Sequence, residues 1–205
     1  MSETSFRMRI LLPTTALLLA AGLLTACSAS PSPPPSPAPD TRPLGDVTAA
    51  PKECDLISRQ SIERATGLSD FTVKKYMSND GKHLESCSVY TNPPASSAYR
   101  LKIEIDDPSV LSLSEIEGTK AARDGVGLPA DAGPGFTFTI AESGVKYQTA
   151  GWAWARDGSR MLSVSLDDTP SNRDPQKDAA EFIRQLRPIL LDGDGASTRS
   201  SGRRN

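Results

Sequence analysis

Three observations predict an α+β domain, an antiparallel sheet of about six strands covered by helices on one side. Tyr99, Leu101, Ile103 and Ile105 alternate with Arg100, Lys102, Glu104 and Asp106, the period of a half-buried strand. Ala179, Phe182, Ile183 and Leu186 fall at i, i+3, i+4 and i+7, the apolar stripe of an amphipathic helix. Turn signals divide the chain between them into short apolar runs, giving the order helix, three strands, helix, three strands, helix. The two halves, each a helix followed by three strands, suggest a pseudo-repeat without residue-level identity.

In the first half, Ile57-Ser58-Arg59-Gln60-Ser61-Ile62 reads as a helix start, with Ser58 as cap and Ile57 and Ile62 at the positions of a hydrophobic staple. Gly67 ends it, because glycine accepts the left-handed conformation that follows many helices. A strand begins at Phe71-Thr72-Val73. Ser78-Asn79-Asp80-Gly81 is a turn, and a second strand covers Leu84 to Thr91. The Tyr99–Asp106 alternation supplies the third. After Asp107-Pro108, the spacing of Val110, Leu113 and Ile116 predicts a short helix reaching about Arg123, with Gly118 a weak point.

Residues 125–135 hold four glycines and two prolines and read as loop. Phe136, Phe138 and Ile140 then alternate as a strand, and Glu142-Ser143-Gly144 turns the chain into Val145 to Arg156. Asp157-Gly158 is a two-residue hairpin signal, and the return strand runs from Ser159 to Leu166. Asp174-Pro175 places a cap before a proline at the first helical position, and Pro188 should stop or kink the last helix.

The ends of the 205-residue chain have other compositions. Arg7 and Arg9 precede an apolar run from Ile10 to Leu24, the pattern of a secretion signal over residues 1–26 and too short to span a bilayer comfortably. The run ends in Leu24-Thr25-Ala26-Cys27, which resembles the lipobox of bacterial lipoproteins, in which the cysteine thiol is acylated and becomes the new N-terminus. That resemblance implies a lipid anchor at Cys27, with palmitate-like chains holding the protein on the outer face of the cell membrane. Residues 27–52 hold eight of the 17 prolines and almost no large apolar residue, so they read as an extended spacer. At about 3.1 Å per residue its reach is on the order of 70 Å. The globular domain is then expected over 53–191, with a disordered polar tail over 192–205.

Without the signal, Lys+Arg number 21 against 24 Asp+Glu. That balance argues against nucleic acid as partner, since phosphate binding needs clustered cations. If lipid takes Cys27, two cysteines remain in an exported chain, and Cys54 and Cys87 most simply pair with one another. A metal site is disfavoured because His83 is the only histidine and no Cys-x-x-Cys occurs. No cofactor motif is present.

Catalytic constellations are weak. Ser143-Gly144-Val145-Lys146 matches the Ser-x-x-Lys spacing of penicillin-binding enzymes, but it falls at a hairpin turn and its companion motifs are missing. A serine triad could use only His83, and the chain has no nucleophile elbow. Asp106-Asp107 and Asp167-Asp168 are strand-end neighbours that point to opposite faces, and Asp192-Gly193-Asp194-Gly195 lacks the rest of a calcium loop.

A family resemblance covers roughly Cys54 to Leu191. Cys54-Asp55-Leu56-Ile57 lies before a short helix ending Thr66-Gly67-Leu68, Ser86-Cys87-Ser88 lies before an aromatic strand, and the closing helix runs from Asp174-Pro175 through Ala179-Ala180-Glu181-Phe182-Ile183-Arg184-Gln185-Leu186-Arg187-Pro188. With these motifs the chain resembles actinobacterial secreted lipoproteins of a domain family without assigned function. The resemblance implies the disulfide, the envelope location and a Mog1/PsbP-like sheet, and it supplies no reaction.

One candidate binding face remains. A two-residue loop at Asp157-Gly158 places Trp154 opposite Met161 and Trp152 opposite Ser163, so both tryptophans and Met161 share a face. Gly151, Ala153 and Ala155 alternate with them, small enough to admit a packed helix on the other side. Either the Trp pair is partly exposed, a platform for a glycan, a peptide or a protein, or a loop or the second helix buries it. The expected function is a lipid-anchored, non-catalytic binding or accessory protein of the cell envelope, acting through Trp152, Trp154 and Met161 or through a groove at the Gly125–Gly135 loop. An envelope hydrolase and a passive structural lipoprotein of the wall are the alternatives.

Overall fold

A computed structural model describes residues 36–79, 81, 84–92, 98–142 and 145–192. The signal segment, Cys27, His83, Ser143 and the tail from Gly193 lie outside the described residues. In chain order the elements are β1 (Lys52–Glu53), β2 (Ile57–Ser58), α1 (Arg59–Thr66), β3 (Phe71–Met77), β4 (Leu84–Thr91), β5 (Leu101–Asp106), α2 (Leu113–Ala122), β6 (Val126–Gly127), a single 3-10 turn (Ala130–Ala132), β7 (Gly135–Glu142), β8 (Val145–Trp154), β9 (Met161–Asp167) and α3 (Pro175–Leu190). β1 and β2 form a small ribbon, and the other seven strands make one antiparallel sheet in the order β3-β4-β5-β9-β8-β7-β6. Two meanders, β3-β4-β5 and β7-β8-β9, thus meet along β5 and β9. The seventh strand, β6, is a two-residue edge that the glycine-rich loop concealed.

Strand alternation assigns the two faces. Cys87 and Val89 of β4, Leu101 and Ile103 of β5, and Leu162, Val164 and Leu166 of β9 point to one side and are buried. α1 and α3 cover that side. In α3, Ala179, Phe182, Ile183 and Leu186 are all buried, as the periodicity requires. Gly151 lets the helix down onto β8: a Cβ there would come within 2.7 Å of Ile183 Cδ1. The Asp174 carboxylate accepts from the N–H groups of Gln176 and Lys177, and Pro175 occupies the first helical position.

Pro188 does not stop α3, which continues to Leu190. A proline in the last turn removes only one carbonyl's partner, and the carbonyls beyond it are satisfied from elsewhere. The Arg160 guanidinium donates to the carbonyls of Leu190 and Leu191, and its charge suits the helix C-terminus.

α1 starts after Ser58, although the Ser58 side chain makes no capping bond, and ends at Gly67, whose φ is +72° and whose N–H donates to the Glu63 carbonyl. Ile57 and Ile62 are both fully buried. Cys54 and Cys87 form a disulfide that ties the β1–β2 ribbon to the centre of β4.

Two expectations are corrected. The chain before Glu53 is not all spacer, because Leu44 and Val47 are 1% and 0% exposed within the main core. Asp40 N–H donates to the Asn172 carbonyl, Gln185 Oε1 accepts from Val47 N–H, and Gln185 Nε2 donates to the Gly45 carbonyl. Asp40, Arg173 and Asp178 form a buried ion cluster beneath this strap, with Arg173 to Asp178 at 2.5 Å and to Asp40 at 3.3 Å. The Arg42 guanidinium and backbone beside Asp40 hold its carboxyl well below the usual range.

The helices also do not all lie on one side. α2 packs by Ile116 against Phe136, Phe138, Ala150 and Met161 on the opposite face. Those rings need a cover, and α2 supplies it with one apolar residue, leaving Val110 and Leu113 exposed. Its start is fixed by a reciprocal capping box, Ser112 with Glu115.

Candidate functional site: the open face of the sheet

The β8–β9 register pairs Trp154 with Met161 and Trp152 with Ser163, as the Asp157-Gly158 hairpin predicts. The loop itself is longer than two residues. Gly158, at φ +71°, donates its N–H to the Ala155 carbonyl, and Ala155 N–H donates to Arg160. The spacing of the flanking residues is unchanged, so the register survives.

Extending the ladders across the sheet gives three rows on this face. One is Phe136–Trp152–Ser163–Glu104–Ser86–Tyr76. The next is Phe138–Ala150–Ser165–Lys102–Ser88–Lys74. The third, at the hairpin end, is Trp154–Met161–Asp106. The face is therefore divided: aromatic on β7 and β8, polar on β9, β5 and β4.

Met161 is buried, whereas Trp152 and Trp154 are half-buried. Trp152 meets Phe138 edge-to-face at 5.1 Å and Phe136 at 5.6 Å, and Trp154 meets Phe136 at 6.2 Å. These contacts fix the indole orientations while leaving part of each ring in solvent. The outcome lies between the two expected from sequence. α2 does reach the cluster through Ile116, and Leu111 just before the helix packs beside it, yet both indoles stay half-buried.

On the polar part, Lys102 Nζ lies 2.7 Å from Glu104 Oε1. Tyr99 folds back over this side, its hydroxyl accepting from Gln148 Nε2 at 2.5 Å with Lys102 Nζ 6.0 Å from its ring. Lys74 lies 5.0 Å over the Tyr90 ring. Burial pushes the Asp106 carboxyl above its usual range, and the neighbouring Glu104 pushes it the same way. Burial likewise raises Asp167. Glu104 and Asp106 are two apart on β5 and so share a face, a carboxylate pairing that the search for adjacent acids missed although the alternation already placed it.

A cavity of about 470 Å³ opens where the β4–β5 ladder ends and shares walls with this face: Ser86, Glu104 and Asp106 line it together with Glu85, Arg160 and Ile189. Arg160 is already engaged by the end of α3. Among the described residues no group of His, Cys, Asp and Glu is arranged to hold a metal ion.

In the 125–135 loop, the other expected location, Val126, Gly127, Pro129, Ala130 and Asp131 are exposed while Gly133 and Gly135 sit in close contact. A Cβ on Gly133 would come within 2.7 Å of the Arg187 guanidinium, and one on Gly135 within 2.4 Å of the Trp152 carbonyl. Gly133 and Gly135 thus serve close approach to α3 and β8, whereas Gly127 is open. Of the residues singled out for catalysis, His83, Ser143 and Gly144 lie outside the described residues.

No helix among the described residues is long and apolar enough to cross a membrane. Comparison with protein-family models, curated proteins and solved structures finds no match to this chain.

Proposed function

We propose that this chain is a lipid-anchored, non-catalytic binding module of the cell envelope, held on the outer face of the membrane through Cys27 and engaging a wall component or a protein through the open face of its sheet. The observation that carries the reading is the half-buried pair Trp152 and Trp154 beside the partly exposed Ser163, Ser165, Lys102 and Glu104. A fully structural sheet has no need of oriented, solvent-touching indoles at the border of its hydrophilic half. The lipobox-like Leu24-Thr25-Ala26-Cys27 and the likeness to actinobacterial lipoproteins support the location, and the two-meander sheet is compatible with a Mog1/PsbP-like arrangement.

The strap refines the geometry of attachment. With Asp40 onward held against the domain, residues 28–39 are what separates it from Cys27, a stretch whose extended length is on the order of 40 Å rather than 70 Å. The test combines two variants. Cys27→Ser should abolish incorporation of a labelled fatty acid and release the protein from membranes. Trp152→Ala should abolish co-sedimentation with insoluble wall fragments. Undiminished labelling of Cys27→Ser would refute the anchor, and undiminished sedimentation of Trp152→Ala would refute the face.

A further inference from the structure

Charge and hydrogen-bonding capacity narrow what the open face can hold, and this step rests on the binding reading given above. The cation at its centre, Lys102, is neutralised by Glu104 at 2.7 Å, and the pair remains partly accessible, with 28% and 40% of the two side chains exposed. Asp106 adds negative charge at the hairpin end of the face. A phosphate or sulfate seated on Ser163 and Ser165 would meet Lys102 already paired with Glu104, the exposed Lys74 lying two strands further on over the Tyr90 ring, and a polycation would meet a pair already satisfied.

The backbone of β5 and β9 is paired on both sides, so the middle of the face offers side chains only. A polypeptide laid across it would leave its own N–H and C=O groups largely unmatched, at a cost for each group desolvated. Hydroxyls are what the lattice offers. No side-chain hydrogen bond joins Ser163 or Ser165 to any described residue. Each hydroxyl can both donate and accept, the capacity that another hydroxyl matches best.

Trp152 adjoins Ser163 in the same row, its ring already oriented by Phe136 and Phe138. From Trp152 across Ser163 to Glu104 is two strand spacings, about 10 Å, and beyond Glu104 the hydroxyls of Ser86 and Ser88 are buried. A ligand with alternating apolar ring faces and hydroxyl rims fits this sequence of a flat aromatic followed by small hydroxyls and a neutralised ion pair. We propose that the open face binds an uncharged, polyhydroxylated glycan chain, which crosses the strands with one sugar ring on Trp152 and its hydroxyls on Ser163, Ser165 and the Lys102–Glu104 pair. The pre-set indole lowers the ordering cost of the contact.

The test titrates the full mature chain, followed by tryptophan emission, with neutral hexasaccharides built on glucose, galactose, mannose, arabinose or N-acetylglucosamine, and with sulfated and carboxylated hexasaccharides. At least one neutral oligosaccharide should saturate the signal with little dependence on salt. Ser163→Val and Ser165→Val, which leave the aromatic cluster intact, should each weaken binding, and Trp152→Ala should weaken it roughly tenfold or more. Binding only of charged saccharides, or neutral binding that both serine variants retain in full, would overturn the proposal. Wall fragments that sediment the protein through Trp152 while no neutral oligosaccharide binds or competes would overturn the glycan assignment and leave the binding reading standing. Failure both of wall fragments to sediment it and of every neutral oligosaccharide to bind would overturn the glycan assignment and the wall-component reading together.

Discussion

Leu162 and Ser163 are neighbours on β9 and face opposite environments. Leu162 is wholly buried beneath α3, and Ser163 is half-buried between Trp152 and Glu104 on the far side. The same division runs along β5, where Leu101 and Ile103 enter the core and Lys102 and Glu104 do not. The closed face is covered by two helices and by the strap carrying Leu44 and Val47, all in one hydrophobic cluster. Among the described residues the other face has one helix, α2, touching it through Ile116. Stability is concentrated on the first face, which leaves the second free to carry binding groups.

The largest expected effect breaks that asymmetry on the closed side. Leu162→Ala should cost about 2–5 kcal/mol in denaturant unfolding, and Ser163→Ala next to it less than about 0.5 kcal/mol. Equal losses would refute the division of labour between the faces. Replacing both Cys54 and Cys87 by alanine should cost about 2–4 kcal/mol, since the bridge closes a loop of separation 33. The same loss should appear on adding reductant to the native chain.

Leu44→Ala comes next, at about 2–3 kcal/mol, because the strap is part of the core. Limited proteolysis should then cut first near Pro43–Gly45. A variant as stable and as resistant as the native chain would return residues 37–52 to the role of spacer.

The smallest effect is on the open face. The carboxyl of Asp106 is raised by burial, so the folded protein holds that proton more tightly than the unfolded chain does. Stability is therefore unaffected by this group below the unfolded value and falls as pH rises from there through the raised value. Asp106→Asn should raise the melting temperature slightly at pH 7 and leave it unchanged near pH 3, a difference readable in paired thermal scans.

The alternation from Leu101 to Asp106 and the Asp157-Gly158 signal made β5 and the β8–β9 register legible, because strand period and turn position are local properties. Tyr99, which the same alternation would make the first core-facing residue of that strand, lies before it and accepts a hydrogen bond from Gln148 on the opposite side. The Ala179–Leu186 stripe and its fit to Gly151 were legible for the same reason. The direction in which α2 packs was not: Val110, Leu113 and Ile116 look like a buried stripe, yet only Ile116 is covered, and the choice of face depends on rings 20 to 38 residues after it. Leu44 and Val47 were hidden by the prolines around them. The Ser112–Glu115 capping box was present in the sequence as Ser-Leu-Ser-Glu and marked the helix start better than the apolar spacing did.

Iodide quenching of tryptophan emission, on the full mature chain with and without insoluble wall fragments, tests the open face most directly. Half-buried indoles should be quenched to an intermediate degree, and wall fragments should suppress that quenching. Emission that iodide cannot reach, or quenching that wall fragments leave unchanged while sedimenting the protein, would contradict a binding face built on Trp152 and Trp154.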